Sequence, residues 1–227
     1  PPDLRAMPPL RAIFFDNDGV LMDTERHYFA ATAAALQARG VPFTREDFIE
    51  LHMRQAKGAW HLLAERGYDT AAIDVARQER NRIYEGLLAS EPTPCASAHE
   101  VVRALRRKYT LAIVTSCHRR HLELMHRRTG LLEQMDFVLA LEDQEETKPS
   151  PKPYLQALAR AGVRREEALV VEDSERGLRA ASAAGIRCWI VRTELAAGGD
   201  FAGAERLLSS LAELPHRLGP HPLEDIP

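Results

Sequence analysis

From about residue 98 onward the chain alternates between short apolar runs and helical stretches, and that alternation limits its fold more than any other feature. Helical patterns over Ala98–Lys108, Arg119–Thr129, Pro151–Ala161, Glu175–Ala184 and Ala204–Leu211 are interleaved with strand-like runs at Thr110–Val114, Phe137–Leu141, Ala168–Val171 and Ile186–Val191. Strands that alternate with helices predict a parallel sheet with helices on both faces. The unbroken apolar run Leu169-Val170-Val171 suits a central strand, buried from both sides. One further strand, Ala12-Ile13-Phe14-Phe15, comes much earlier. Between it and the alternating part lie only helical stretches: Thr24–Arg39 closed by Gly40, Thr44–Arg54, Ala59–Glu65 before the stop at Gly67, and Thr70–Leu88. The expected organisation is an α/β core of residues 10–23 and 93–214 with an inserted all-helical cap of residues 24–92. Glu91-Pro92-Thr93-Pro94 bounds that cap, and residues 1–9 and 215–227 are expected to be loosely held tails.

Composition excludes several classes of function. A chain of 227 residues with 45% hydrophobic and 28% charged residues has an ordinary globular balance and enough length for a real core. A net charge of −3 supplies no basic field for nucleic acid, and no apolar run is long enough to cross a bilayer. Pro1–Pro9 lacks the apolar stretch of a signal peptide. Three scattered cysteines, Cys95, Cys117 and Cys188, suit reduced thiols and a cytoplasmic setting. A monomer is the simplest assembly.

The first strand ends on Asp16-Asn17-Asp18-Gly19. Side chains alternate along a strand, so Asp16 and Asp18 leave its end toward the same side. Gly19 permits the sharp turn that brings backbone N–H groups near whatever they hold. In open α/β sheets ligands sit beyond the carboxyl ends of the strands. There the second strand presents Thr115 and Ser116, the segment after the third carries Lys148, and the fourth ends on Glu172, Asp173 and Ser174. Four acids at one edge call for a divalent cation before a phosphate dianion can approach, and hard oxygen ligands favour Mg²⁺. Lys148 and the Thr115 hydroxyl suit the phosphoryl oxygens, with backbone N–H groups in support. One aspartate in line with phosphorus could attack it, while a second acid, kept protonated by crowded neighbours, serves as acid and then base.

The run Asp16-Asn17-Asp18-Gly19-Val20-Leu21-Met22-Asp23-Thr24-Glu25 resembles the first motif of the haloacid dehalogenase superfamily, in its phosphatase and phosphomutase branch. Thr115, Lys148 and Glu172-Asp173 resemble the second, third and fourth motifs. Gly177, Ala180-Ala181 and Ala184-Gly185 are similar to the helix that follows the fourth. The resemblance spans roughly residues 10 to 195. It implies a Rossmann-like core with a small helical cap, Mg²⁺ as cofactor and a small phosphorylated metabolite as substrate. It also implies Asp16 as nucleophile and metal ligand, and Asp18 as acid/base that ligates the metal through its backbone carbonyl. Thr115, Ser116, Lys148 and Gly19 would bind the phosphoryl group, and Asp173 the metal, with Glu172 beside it or acting through water. Lys152 stands where relatives commonly carry an acid and rivals Lys148 for the catalytic lysine. Met53 stands where relatives often show glycine.

The function expected is Mg²⁺-dependent hydrolysis through an aspartyl-phosphate. The alternatives are a phosphosugar mutase of the β-phosphoglucomutase type and a non-catalytic binding or regulatory relative. Asp18 disfavours dehalogenation and phosphonate cleavage. His52, Arg54, Lys57, Trp60 and His61 of the cap are candidates to meet the substrate, and Cys117 lacks a matched base.

Overall fold

The computed structural model describes residues 8–219 other than 56, 92 and 197. Among these, six strands form one sheet: β1 (Ala12–Phe15), β2 (Thr110–Val114), β3 (Phe137–Leu139), β4 (Ala168–Glu172), β5 (Arg187–Val191) and β6 (Arg206–Leu208). Their order is β3-β2-β1-β4-β5-β6, and every pairing is parallel. The sheet therefore reverses direction of build at β1, which pairs with β2 on one side and β4 on the other. A crevice opens at the carboxyl ends of strands where the order reverses in this way.

Of the five α-helices between β1 and β2 among the described residues, the first four, α1 (Glu25–Gln37), α2 (Arg45–Phe48), α3 (His61–Ala64) and α4 (Thr70–Ser90), form the cap. The remaining helices are α5 (Ala98–Leu105), α6 (Arg119–His126), α7 (Lys152–Ala161), α8 (Glu175–Ala183) and α9 (Glu213–Leu218). Alternate residues of the strands feed two separate apolar layers. Ile13, Phe15, Ile113 and Val171 pack with Val102 and Leu105 of α5 and with Leu122 and Met125 of α6. Phe14, Ala112, Val114 and Val170 pack with Tyr154 and Ala157 of α7 and with Leu178 and Ala181 of α8. Both faces of each central strand are thus buried, which is why β1 and β4 carry no polar alternation. A third cluster of Leu36, Val41, Ala59, Leu63 and Ala76 gives the helical insertion its own interior. Its two ends run side by side, with Asp23 N–H donating to Thr93 O at 2.8 Å and Cys95 N–H to Leu21 O at 2.9 Å. No helix of the described residues is long and apolar enough to cross a membrane.

Three expectations need correction. The segment expected to be helical over Ala204–Leu211 contains instead the parallel strand β6, whose Arg206, Leu207 and Leu208 pair with Trp189, Ile190 and Val191. The free edge of β5 offers a full row of backbone partners, and tertiary pairing outweighs the strong local helix preference of Ala-Glu-Arg-Leu-Leu. The helix expected over Thr44–Arg54 is α for only one turn, started by the Thr44–Asp47 capping box, and continues as a π-helical turn over Ile49–Arg54. The carboxyl tail, expected to loosen from Pro215, holds α9 as far as Leu218, and Leu214 is buried in the core. Pro215 is accommodated because it sits in the first turn of that helix, where its missing N–H is no loss. The rest of that tail from 220, and residues 1–7 and Pro92, fall outside the described residues.

Candidate active site

The strand ends deliver their polar side chains to one place. Asp16 and Asp18 follow β1, Thr115 and Ser116 follow β2, and Asp173 follows β4; all five line one cavity of about 330 Å³ beneath the cap. Lys148 and Glu172 lie behind it, fully enclosed. The Lys148 ammonium donates three hydrogen bonds, to Asp16 Oδ1 at 2.7 Å, Glu172 Oε1 at 2.6 Å and Val114 O at 2.7 Å. All three of its protons are spent on fixed partners.

Glu172 is just as fully used. Tyr154 Oη donates to Oε1 at 2.9 Å, while Ser174 Oγ and the Asp173 N–H donate to Oε2 at 3.0 and 3.1 Å. Burial by itself would raise this carboxyl, but Lys148 overrides it and holds Glu172 below the ordinary range. Burial likewise opposes the Lys148 charge, and the two carboxylates outweigh it, so the lysine stays protonated. Gly177 lets α8 start directly against this group, because a Cβ there would stand 1.9 Å from the Glu172 carboxyl carbon.

The cavity-facing acids behave differently. Burial, then repulsion from Glu172, pushes Asp16 up to about 7 despite Lys148. Burial, then Asp18 and Asp16, pushes Glu25 at the start of α1 up to about 8. Burial, then Glu25 and Glu172, raises Asp173 well above the usual range. Oxygen atoms of Asp16, Glu172 and Asp173 lie within 4.8 Å of one another, and buried Asp173 Oδ2 has no hydrogen-bond partner. An unpartnered buried carboxylate oxygen of Asp173 beside the Asp16 carboxylate suits a hard divalent cation, and these two residues fit Mg²⁺. Ser116 Oγ is also buried without a partner on the same cavity. Thr115 Oγ1 accepts from the Cys117 N–H at 3.0 Å.

Gly19 serves the site otherwise than expected. Its N–H donates to Met22 O at 2.8 Å and so is turned to the loop, not to a phosphate. Its φ is +81°, and a Cβ would lie 2.0 Å from Asp173 Oδ2. Gly19→Ala is therefore expected to destabilise the protein by about 1–3 kcal/mol, read as a lower urea midpoint, and to weaken Mg²⁺ binding by displacing Asp173.

Lys152, the rival lysine, is at the surface, paired with Glu145 at 3.2 Å and Glu146 at 2.6 Å. Of the cap candidates, only His52 lines the cavity. Arg54 points elsewhere, to Gly198 O at 2.8 Å and Glu50 at 3.2 Å. Cys117 reaches the cavity wall with its thiol pushed far up by burial, an inert state. Sequence reasoning missed Tyr28, Arg80, Asn81 and Tyr84 of the cap, together with His118, His121 and Arg176 of the core. A signal existed for two of them, since Arg80 and Tyr84 stand one turn apart on the same face of α4. Arg80 is held over Tyr28, 4.4 Å from its ring centroid, and Tyr28 in turn stacks on His52. Burial, then Arg176 and Arg80, lowers His52 to about 3 and keeps it neutral.

Residues 13–191 match the haloacid dehalogenase-like hydrolase family. The chain belongs to that family. Within it, the chain is 33% identical to the protein CbbY of Cereibacter sphaeroides, over 90% of this chain and 94% of that protein. It is 32% identical to the phosphorylated carbohydrates phosphatase of Thermotoga maritima, over 78% of this chain and 82% of the relative. The crystal structure of CbbY from Rhodobacter sphaeroides in complex with phosphate superimposes with a TM-score of 0.77 at 30% identity, covering 90% and 96% of the two chains. A mutant of that protein was crystallised with xylulose-1,5-bisphosphate. These likenesses set this dehalogenase-like hydrolase among the family's phosphatases and β-phosphoglucomutase-like proteins, with α1–α4 as its helical cap.

Proposed function

We propose that this hydrolase is an Mg²⁺-dependent phosphatase of small phosphorylated carbohydrates that works through an aspartyl-phosphate on Asp16. The observation that carries the reading is the pairing of Asp16 Oδ1 with Lys148 on a residue that lines the cavity, which leaves the other carboxylate oxygen, Oδ2, for phosphorus. Asp16, Asp173 and the Asp18 carbonyl would hold the metal, with Glu172 reserved for Lys148. The bound cation would neutralise the acids and the phosphoryl group so that the two can approach.

Asp16 Oδ2 attacks phosphorus and the ester P–O bond breaks, while Asp18, in its protonated form, gives the leaving oxygen a proton. Asp18 then takes a proton from water, whose oxygen attacks the acyl phosphate and frees Asp16 and phosphate. Thr115 and Ser116 hydroxyls hold the phosphoryl oxygens through both steps. Thr24 Oγ1 donates to Asp18 Oδ1, which keeps the acid turned into the cavity. Beyond the phosphoryl site, Arg80, Asn81, Arg176 and neutral His52 offer polar contacts suited to a hydroxylated, anionic leaving group. The two relatives that act on or bind phosphorylated sugars support that substrate class.

The test is phosphate release from a panel of sugar phosphates and p-nitrophenyl phosphate, with Mg²⁺ and with a chelator. Turnover with Mg²⁺ that the chelator abolishes is expected. Silence across the panel from metal-replete protein would overturn the reading, as would isomerised sugar phosphate forming faster than free phosphate. The metal requirement has a pH signature. Burial pushes metal-free Asp16 up to about 7 and Asp173 well above an ordinary carboxyl, so toward lower pH the cation must displace protons from its own ligands. Half-saturating Mg²⁺ should therefore rise as pH falls from 8 to 6, by up to about tenfold per pH unit for each proton displaced.

A further inference from the structure

Under the Asp16–Asp18 turn runs a chain of buried polar groups that the chemistry above leaves unused. Asn17 is 0% exposed and His126, at the end of α6, is 2% exposed; neither lines the cavity. Asn17 Nδ2 donates to Asp18 Oδ2 at 3.2 Å and to Met125 Sδ at 3.0 Å. Asn17 Oδ1 is 2.7 Å from His126 Nε2, and His126 Nδ1 is 2.9 Å from Thr129 Oγ1.

With a neutral imidazole, one proton arrangement satisfies all four groups. A carbonyl oxygen can only accept, so His126 carries its proton on Nε2, and its bare Nδ1 accepts from the Thr129 hydroxyl. Flipping the Asn17 amide would set its oxygen against the Asp18 carboxylate, acceptor facing acceptor. Burial, then His99, lowers the imidazole to about 4, so it is neutral with this tautomer at neutral pH. Thr129 is tethered in turn, its carbonyl 2.7 Å from His99 Nε2. The Asp18 carboxylate is thus gripped on both oxygens, by Thr24 from the cavity side and by Asn17 from beneath.

We infer that Asn17 and His126 are positioning residues that aim Asp18 at the leaving-group oxygen without touching substrate. The inference rests on the proposed acid/base role of Asp18. It predicts a defect that depends on the leaving group. Nitrophenolate departs without protonation, whereas the more basic phenolate needs a proton in the transition state. kcat/KM reports only the steps through phosphoryl transfer to Asp16, so it isolates this need.

His126→Phe keeps the ring and removes the Nε2–H. It should lower kcat/KM for phenyl phosphate roughly tenfold and that for p-nitrophenyl phosphate by less than about twofold. His126→Gln, which restores an N–H near the same place, should recover most of the loss. Thr129→Val should shift the ratio in the same direction by less, and carries the test with His126→Gln if His126→Phe fails to fold. Equal losses on both esters, or none, overturn the positioning role. Asp18→Asn run in the same series separates the two readings. If it steepens the leaving-group dependence and the His126 variants do not, only the positioning inference falls. If Asp18→Asn itself shows no steepening, the acid assignment falls and takes the inference with it.

Discussion

Asp16→Asn is expected to lower phosphatase turnover by a factor on the order of 10⁴ or more while the fold survives. The substitution is isosteric and removes the only oxygen at the cavity floor proposed to bond phosphorus. The fold survives because Lys148 keeps Glu172 at 2.6 Å and Val114 O at 2.7 Å when Asp16 loses its charge. Burial and repulsion already push Asp16 up to about 7, so a neutral amide there removes a desolvation cost instead of adding one. Metal-free Asp16→Asn should melt no lower than the wild type, and Mg²⁺ should stabilise it less, since one ligand charge is gone. Phosphate release and thermal unfolding, with and without Mg²⁺, measure both halves. Wild-type rates in this variant would end the assignment of Asp16 as nucleophile.

Lys148→Ala should damage the protein itself. Lys148 is 3% exposed and sits between two carboxylates, with Tyr154 5.1 Å from its ammonium to the ring centroid. Removing the cation leaves Glu172 with no exposure to water and without the countercharge that contacts it, close to the Asp16 carboxylate. Breaking a buried ion pair from one side costs about 3–5 kcal/mol, because the surviving charge stays desolvated. Urea unfolding should show that loss, and turnover should fall with it as Asp16 is no longer held by Oδ1. Lys152→Ala is the matched control. Its partners, Glu145 and Glu146, are solvent-facing, so its unfolding midpoint and turnover should match the wild type. If the two lysine variants behaved alike, Lys148 would be a passive surface residue and the geometry of the site would be misread.

The difference between these lysines also marks how far the chain could be read without its fold. Asp16, Thr115 and Asp173 each come directly after a strand. In a parallel sheet, the residue that ends a strand is placed at the carboxyl edge whatever the helices do, so these positions were legible from the apolar runs before them. The insertion between β1 and β2 was legible for a similar reason, since helical periodicity and glycine stops are local properties.

Long-range packing decided the rest. Whether Glu172 met a metal or a lysine depended on Tyr154, Ser174 and Lys148 arriving from other segments to fill its oxygens. β6 became a strand because the edge of β5 lay open beside it, a fact absent from its own three residues. Arg80, His118, His121 and Arg176 face the cavity through the angle at which cap and core helices meet, and no local spacing encodes that angle. Strand direction is a property of the chain, whereas the facing of a helix is settled by what it packs against. Thus the acids at the strand ends were determined by sequence, and the walls that select the substrate were determined by tertiary structure.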